Sequence, residues 1–182
     1  VSKDVFTQLD QDMCESELQI GDLGFREHVD YHYTDASGKQ LRTRVTFDSA
    51  HMSMGVEHTQ KIVCSRFHVQ ASDQTGDNSI ARLSIAHEIP VVDPPVSCIP
   101  TCVRIQQRKR FRDVRDGVTI WSYDLSRTWS ASSRNAVEHK QHVSEPMYEV
   151  ECELVDEQHT YLQSLTNNEI ANTLLQKIKI LL

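Results

Sequence analysis

The stretch Met147-Tyr-Glu-Val-Glu-Cys-Glu-Leu-Val-Asp156 places a glutamate at every second position. Successive side chains of a β-strand point to opposite faces, so Glu149, Glu151 and Glu153 share one face and the apolar residues between them share the other. Three like charges in a row repel each other, and burying them without partners costs a large free energy. The row is therefore either the solvated face of an edge strand or part of an interior that supplies cations.

Length and composition limit the class of protein. A chain of 182 residues with 38% hydrophobic and 25% charged residues suits one domain, residues 1–182, with a sizeable core. Five scattered cysteines argue against a disulfide framework and favour a reducing, intracellular compartment. No apolar run is long enough to cross a bilayer, so no membrane partner is expected. Because the net charge is −7, a nucleic-acid partner would have to be gripped at one place rather than over a broad basic surface.

Alternation of polar and apolar residues predicts further strands along the chain. Eight are expected, starting near Met13, His28, Leu41, Ser79, Val103, Thr119, Ala136 and Met147. Turns are predicted at Asp35–Gly38 and at Asp116–Gly117. Eight mostly antiparallel strands favour a closed barrel, since closure removes free edges.

Helical spacing is predicted in two places. Residues 56–67 change period after Gly55 and predict a short helix. Apolar residues from Tyr161 to Leu181 recur at helical spacing and predict one or two C-terminal helices, with Thr166 and Glu169 placed as in a capping box. The predicted fold class is thus α+β and mainly β: a closed eight-stranded antiparallel β-barrel with short helices packed outside, including a C-terminal helix.

The charged faces of these strands sort by sign. Glutamates lie on the predicted first strand, Met13–Gly21, and on the last, whereas arginines lie on intermediate strands. If these rows point into the barrel, they form a tunnel with an acidic wall and a basic wall. Hard divalent cations take carboxylate oxygens, and the planar fork of arginine pairs bidentately with phosphate. Such an interior suits a divalent cation together with a polyphosphate.

Three segments resemble, in order, the motifs of one family. Glu15-Ser-Glu17-Leu-Gln19-Ile-Gly21 resembles Glu-x-Glu-x-Lys/Arg-x-Gly. The strand with Arg108 and Arg110, followed by Trp121-Ser-Tyr-Asp124-Leu-Ser126, resembles basic alternation followed by Trp-x-x-Asp-Leu-Thr. Tyr148-Glu149-Val-Glu151-Cys-Glu153 resembles the last motif. From about Met13 to Asp156 the chain is therefore similar to the metal-dependent RNA 5′-triphosphatases of the fungal and protozoan mRNA capping type, within the triphosphate tunnel metalloenzymes.

The resemblance implies roles for individual residues. Glu15, Glu17 and Glu153 would hold a catalytic Mg²⁺ or Mn²⁺. The catalytic set would comprise Glu88, which orients the attacking water, together with Glu151, Arg108 and Arg110. The substrate-binding set would comprise Arg42, Arg44, Lys61, Arg82, Arg104, Arg108, Arg110, Asp124, Ser126 and Glu149.

The implied activity is hydrolysis of the γ-phosphate from the 5′-triphosphate end of nascent mRNA, which leaves a 5′-diphosphate end as the first step of cap formation. Partners implied in the same way are 5′-triphosphate RNA, nucleoside triphosphates and a capping guanylyltransferase, in the nucleus. Two positions depart from the pattern: Gln19 stands where a basic residue is expected, and Ser122 where an arginine usually precedes the aspartate.

Three alternatives stay open. A related tunnel enzyme could act on inorganic triphosphate or nucleotides, and a barrel without catalysis could bind polyphosphate in the same charged rows. Cys98 and Cys102 with His87 could be zinc ligands, but without a second matching pair a Cys-x-x-x-Cys is more often a loop with two thiols.

Overall fold

The computed structural model of the protein describes residues 1–21, 24–35, 37–48, 52–72, 78–92, 99–155, 163–166, 168–169, 172–173 and 176, with the side chains of 66–72, 78–83 and 85 left out. The elements in chain order are α1 (Lys3–Glu15), β1 (Gln19–Ile20), β2 (Arg26–Thr34), β3 (Gln40–Phe47), β4 (Ser53–Ser72), β5 (Asn78–Pro90), β6 (Cys102–Arg115), β7 (Val118–Ala131), α2 (Arg134–Val143) and β8 (Met147–Leu154). The fold formed by these elements is thus mainly β, with two helices among them.

The chain divides into two compact units. The first unit comprises Val1–Arg26, Gln107–Thr128 and Pro146–Leu182, and the second comprises Glu27–Gln106 and Trp129–Glu145. Strands β6 and β7 each contribute to both units. The prediction of one domain over residues 1–182 stays a prediction.

The strands form an antiparallel sheet that is open. Their order is β5-β4-β3-β2-β6-β7-β8, with β1 paired to β6 at one side of the path. Because this order has two ends, β5 and β8, the described strands do not form the predicted closed barrel. Of the eight expected strands, Ala136–Val143 is a helix, and Met13–Gly21 is a strand only at Gln19–Ile20.

The first unit has its own hydrophobic core. Phe6 and Met13 of α1 pack with Phe111 of β6 and with the apolar face of β7, which includes Trp121 and Leu125. The predicted strand Met13–Gly21 is wrong over most of its length, since Met13 to Glu15 end α1 and only Gln19–Ile20 is a strand. Met13 to Glu15 are helical for two reasons. Ser2 caps α1 by accepting from the Val5 N–H at 3.3 Å, and Phe6 and Met13 lie two turns apart on one buried face of the helix.

The second unit has a separate core around α2. Val137 of this helix is fully buried against Val29, Ile105 and Trp129. The predicted strand Ala136–Val143 is therefore wrong. Ser133 caps the helix by accepting from the Ala136 N–H, and one buried face is enough to hold it on the sheet.

The predicted helix over 56–67 is also wrong, because this segment lies inside the strand β4. Its residues pair with β3 from Leu41 to Phe47 and with β5 from Asn78 to Pro90. β-Branched residues are common in the segment, and pairing with β3 up to Gln60 and with β5 from Thr59 onward supplies hydrogen bonds that a short isolated helix could not match.

Other predicted elements are confirmed. Strands β2, β3, β5, β6, β7 and β8 occur within a few residues of the predicted positions. Asp35 accepts from the Gly38 N–H at 3.0 Å, and Asp116 and Gly117 have φ of 51° and 79°, as a type I′ hairpin requires.

At the C-terminus, Thr166 and Glu169 form the predicted capping box. The Thr166 N–H donates to Glu169 Oε2 at 2.7 Å, and the Glu169 N–H donates to Thr166 Oγ1 at 3.4 Å. The Thr166 N–H and the Thr166 hydroxyl, which donates to Glu169 Oε2 at 2.8 Å, hold the pKa of Glu169 below its usual value. Most of the apolar positions predicted for C-terminal helices lie outside the described residues. Across the residues that can be searched, no helix has the length and apolar character needed to span a bilayer.

Candidate functional site

In the first unit, a buried carboxylate on β7 holds two arginines of β6. Asp124 accepts from Arg108 Nη1 at 2.8 Å, and from Arg110 Nε and Nη2 at 2.7 Å each. Asp124 is 4% exposed and Arg108 is 8% exposed. A carboxylate that accepts several charge-assisted hydrogen bonds fixes the guanidinium groups in one orientation. We call Arg108, Arg110 and Asp124 the arginine–aspartate cluster.

The polar face of β7 is buried along its length. Ser122, Asp124, Ser126 and Thr128 are each at most 4% exposed. A solvated outer face would expose these side chains, so that alternative does not hold for this row. The hydroxyls of Ser122 and Ser126 are buried and have no hydrogen-bond partner within the part of the chain that the structure describes.

The glutamate row of β8 lies directly across from this face. Ser126, Asp124 and Ser122 pair in register with Glu149, Glu151 and Glu153, respectively. Arg108 Nη2 lies 3.4 Å from Glu151 Oε2, and Thr128 donates to Glu149 at 2.7 Å. Glu149 is half-buried, whereas Glu151 and Glu153 are exposed. Within the row, Glu151 therefore lies near the Arg108 guanidinium, and Glu153 at the C-terminal end is exposed to solvent.

Gly21, the last residue of the first motif, lies close to the arginine strand. Its N–H donates to the Arg110 carbonyl at 2.8 Å. A Cβ at Gly21 would come within 3.1 Å of Arg112 Nε and 3.3 Å of the Arg110 carbonyl oxygen. This tight approach explains why the position suits glycine.

Gly21→Ala is expected to lower the free energy of unfolding by about 1 kcal/mol, because the added methyl group overpacks against β6 backbone. Urea unfolding measures the change. Gly55→Ala is the matched control, since a Cβ at Gly55 meets nothing within 4 Å. Equal effects of the two substitutions would contradict this account of Gly21.

The residues expected to hold a metal ion are not gathered into a site. Glu15 ends α1, Glu17 follows in the connection to β1, and both are exposed, as is Glu153. Among the residues that could be searched, no group of three His, Cys, Asp or Glu side chains could hold a metal ion. The described donors therefore form no three-ligand group, and binding of Mg²⁺ or Mn²⁺ stays a prediction. Cys102 and His87 likewise belong to no such group among the described residues, and Cys98 lies outside them.

In the second unit, Asp30 of β2 holds Arg44 of β3. Arg44 donates through Nε at 2.7 Å and Nη2 at 2.6 Å, and the same Nη2 lies 3.3 Å from Gln106 Oε1. Burial alone would raise the pKa of Asp30, but the Arg44 hydrogen bonds and the nearby arginine charges outweigh it and hold the pKa below its usual value. Asp30 is therefore ionised at neutral pH.

Next to this pair, Glu88 of β5 binds two cations. Arg42 Nη2 donates to Glu88 Oε2 at 2.9 Å, and Lys61 Nζ lies 3.6 Å from Glu88 Oε1. Lys61 and Glu88 are paired in register, and both are exposed. Glu88 thus lies among predicted phosphate-binding cations. Arg104 of β6 is half-buried, and the side chain of Arg82 lies outside the described set.

Several polar residues of these faces were not predicted from the sequence. Asp30 and His32 of β2 lie opposite Arg44 and Arg42 in register. Since the turn at Asp35–Gly38 fixes that register, counting back from the turn would have placed a carboxylate against an arginine. Gln106 and Thr128 carried no comparable signal.

Comparison with solved structures identifies the same fold elsewhere. The triphosphatase of the Mimivirus capping enzyme matches with a TM-score of 0.59 at 13% identity, over 100% of this chain and 85% of that chain. The Pct1 RNA triphosphatase of S. pombe matches with a TM-score of 0.59 at 17% identity, over 98% of this chain and 66% of that chain. In its complex with the Spt5 CTD, Pct1 matches with a TM-score of 0.60 at 18% identity, over 100% and 68%.

No family model matches the sequence. No curated protein matches it either. At these identities the likeness is one of fold, and the resemblance to RNA triphosphatases drawn from the three motifs is confirmed at that level.

Proposed function

We propose that this chain hydrolyses the bond between the β- and γ-phosphates at the 5′-triphosphate end of RNA, leaving a 5′-diphosphate end for cap formation. The shared fold with two RNA triphosphatases supports this reaction class. The observation that carries the proposal is the arginine–aspartate cluster, which lies at the predicted motif positions. Its two arginines share a buried carboxylate and offer oriented donors to phosphoryl oxygens.

In the proposed reaction, a water oxygen bonds to the γ-phosphorus while the bond to the β–γ bridging oxygen breaks. The bridging oxygen leaves with the diphosphate end, and the protons of the water pass to the released phosphate and to solvent. The resemblance assigns the orienting of this water to Glu88, which binds Arg42 and Lys61 within the second unit. Arg108 and Arg110 offset phosphoryl charge, which is the main protein contribution in reactions of this kind.

Metal dependence stays a separate prediction. The described carboxylates do not assemble three ligands, so no step is assigned to a metal ion. The resemblance predicts that Mg²⁺ or Mn²⁺ is required and that Glu153→Ala abolishes the activity. Phosphate release in EDTA, Mg²⁺ and Mn²⁺ measures the dependence.

Glu88→Gln is expected to slow release of γ-labelled phosphate from 5′-triphosphate RNA by about 100-fold, the ordinary contribution of a positioned acid–base group. The control is Glu27→Gln, because Glu27 lies on β2, outside the predicted catalytic and binding residues, and accepts from Gln141 at 3.3 Å. Full activity of Glu88→Gln, or equal loss in both variants, would contradict the role of Glu88.

A second candidate function is polyphosphate binding without catalysis. The exposed positions of Glu15, Glu17 and Glu153 favour this function, because polyphosphate binding requires the arginine and lysine side chains and no metal-binding carboxylates. Tripolyphosphate binding without phosphate release from RNA, inorganic triphosphate or nucleotides would support this function. Release from inorganic triphosphate or nucleotides alone would instead identify a related tunnel hydrolase.

A capping guanylyltransferase that takes the diphosphate end, and a nuclear location, follow from the proposed function as further proposals. The Pct1 structure in complex with the Spt5 CTD is a finding about that protein.

A further inference from the structure

Three buried polar atoms of the second unit lie in one row without a hydrogen-bond partner among the described residues. They are Nε2 of His32, Nε of Arg42 and Oγ1 of Thr59. His32 is paired in register with Arg42, and Arg42 with Thr59. Residues directly opposite each other on neighbouring antiparallel strands share a face, so these side chains stand side by side across β2, β3 and β4.

A buried polar atom without a partner costs about 1–3 kcal/mol. Such atoms in folded proteins usually mark a bound water, ion or ligand. Here three of them adjoin one another, and all three groups can donate a hydrogen bond: the Arg42 guanidinium, the Thr59 hydroxyl and the imidazole of His32 in its Nε2–H tautomer. Three buried donors without partners require a hydrogen-bond acceptor.

The charges around the row favour an anionic acceptor. Arg42, Arg44, Arg104 and Lys61 bring four cations to this face, against three carboxylates, Asp30, Glu57 and Glu88. Arg42 donates to Glu88 through Nη2, and its buried Nε has no partner among the described residues. A tetrahedral oxyanion presents several acceptor oxygens to such an arrangement.

We propose that His32, Arg42 and Thr59 together bind one phosphoryl group of a polyphosphate chain, with His32 and Thr59 as binding residues of this row. The inference rests on the proposed function in naming a phosphoryl group, and it assigns two residues that neither the motifs nor the charge rows identified.

The protonation state of His32 is consistent with this role. Burial lowers the pKa of His32, and the charges of Arg104, Arg42 and Arg44 lower it further, while Asp30 opposes them. The imidazole is therefore neutral at pH 7 and can donate from Nε2. A phosphoryl group bound in the row would offset the arginine charges, so the pKa of His32 rises on binding.

The experiment is calorimetric titration of the whole chain with tripolyphosphate in EDTA, which measures binding without turnover. Thr59→Val removes the hydroxyl at nearly constant volume and is expected to weaken binding about 10-fold, whereas Thr59→Ser, which keeps the hydroxyl, binds within about 2-fold of wild type. Thr43→Val is the control, because the Thr43 hydroxyl is partnered with His58 Nδ1 at 2.9 Å. Melting temperatures confirm that each variant folds.

A second readout is the pKa of His32 measured by NMR with and without tripolyphosphate, using His28 as the internal reference. The expected result is a rise for His32 on binding. Wild-type binding by Thr59→Val with an unmoved His32 pKa would overturn the inference and assign the row to water. Failure of the wild-type chain to bind tripolyphosphate would overturn it as well. Inorganic phosphate and 5′-triphosphate RNA as further ligands separate recognition of a single phosphoryl group from recognition of a chain end.

Outcomes for this inference and for the proposed function are separable. If tripolyphosphate binding depends on Thr59 and yet RNA releases no phosphate, the row is a binding site and the proposed reaction fails. If RNA is hydrolysed while Thr59→Val changes neither tripolyphosphate affinity nor KM, the reaction stands and this row is not part of it.

Discussion

Asp124→Asn is expected to lower the free energy of unfolding by about 3–5 kcal/mol, the cost of removing one partner from a buried ion pair. For a chain of this size the melting temperature should fall by roughly 10 °C. The reason is that Asp124 is 4% exposed and accepts from both Arg108 and Arg110. An amide cannot accept the same set of charge-assisted hydrogen bonds, and it leaves buried positive charge less compensated.

The matched control is Glu138→Gln, which makes the same chemical change in the ion pair of Arg134 and Glu138 one helical turn apart. There the side chains are 34% and 44% exposed, so the expected loss is about 0.3–0.5 kcal/mol. Urea unfolding of both variants measures the difference. A loss below 1 kcal/mol for Asp124→Asn would show that the arginine–aspartate cluster is not a buried electrostatic unit.

The strands that carry this cluster could be predicted from sequence because β6, β7 and β8 are regular and long. Alternation over eight or more residues distinguishes a strand from a helix. The pairing of Asp124 with Glu151 does not follow from it, because the sequence predicts a strand over Ala136–Val143 between the two, where the structure has a helix. Burial of the polar face of β7 could not be predicted, because alternation looks the same whether that face meets solvent or protein.

The failed predictions all rest on short sequence patterns. In Met13–Gly21 and Ala136–Val143, short windows fitted a strand, but the capping residues Ser2 and Ser133 lay outside or at the edge of each window. In β4, apolar spacing suggested a helix, whereas pairing with β3 and β5 decided for a strand. Short patterns are ambiguous, and non-local contacts decide between them.

Those failures bear directly on the metal prediction. The sequence predicts that the first motif is a strand with Glu15 and Glu17 on one face. In the structure Glu15 lies at the end of a helix and Glu17 in an exposed connection, so they do not share a strand face. Gly21 of the same motif is nevertheless held against Arg110. The motif therefore contributes a close backbone contact to the arginine strand, which spacing alone did not indicate.

Arg108→Ala is expected to reduce phosphate release from 5′-triphosphate RNA by about 100- to 1,000-fold, the usual cost of removing one preorganised donor to developing charge. Arg108→Lys keeps the charge but loses the planar fork, so about 10-fold is expected. In both variants Asp124 still binds Arg110. Melting curves identify an assay temperature at which each variant is folded. Single-turnover rates at that temperature separate catalysis from stability.

Arg127→Ala is the control for Arg108→Ala, because Arg127 lies on the other face of β7. Its guanidinium stacks over the Phe25 ring at 4.4 Å and does not belong to the polar row. Its loss should cost about 0.5–1 kcal/mol of stability and leave the hydrolysis rate unchanged. If folded Arg108→Ala hydrolysed RNA at the rate of Arg127→Ala, the cluster would be a stabilising ion pair only, and catalysis would have to be assigned to other residues. A rate loss confined to Arg108→Ala would instead tie the buried arginine to the reacting phosphate, since the two variants remove the same charge from opposite faces of one sheet.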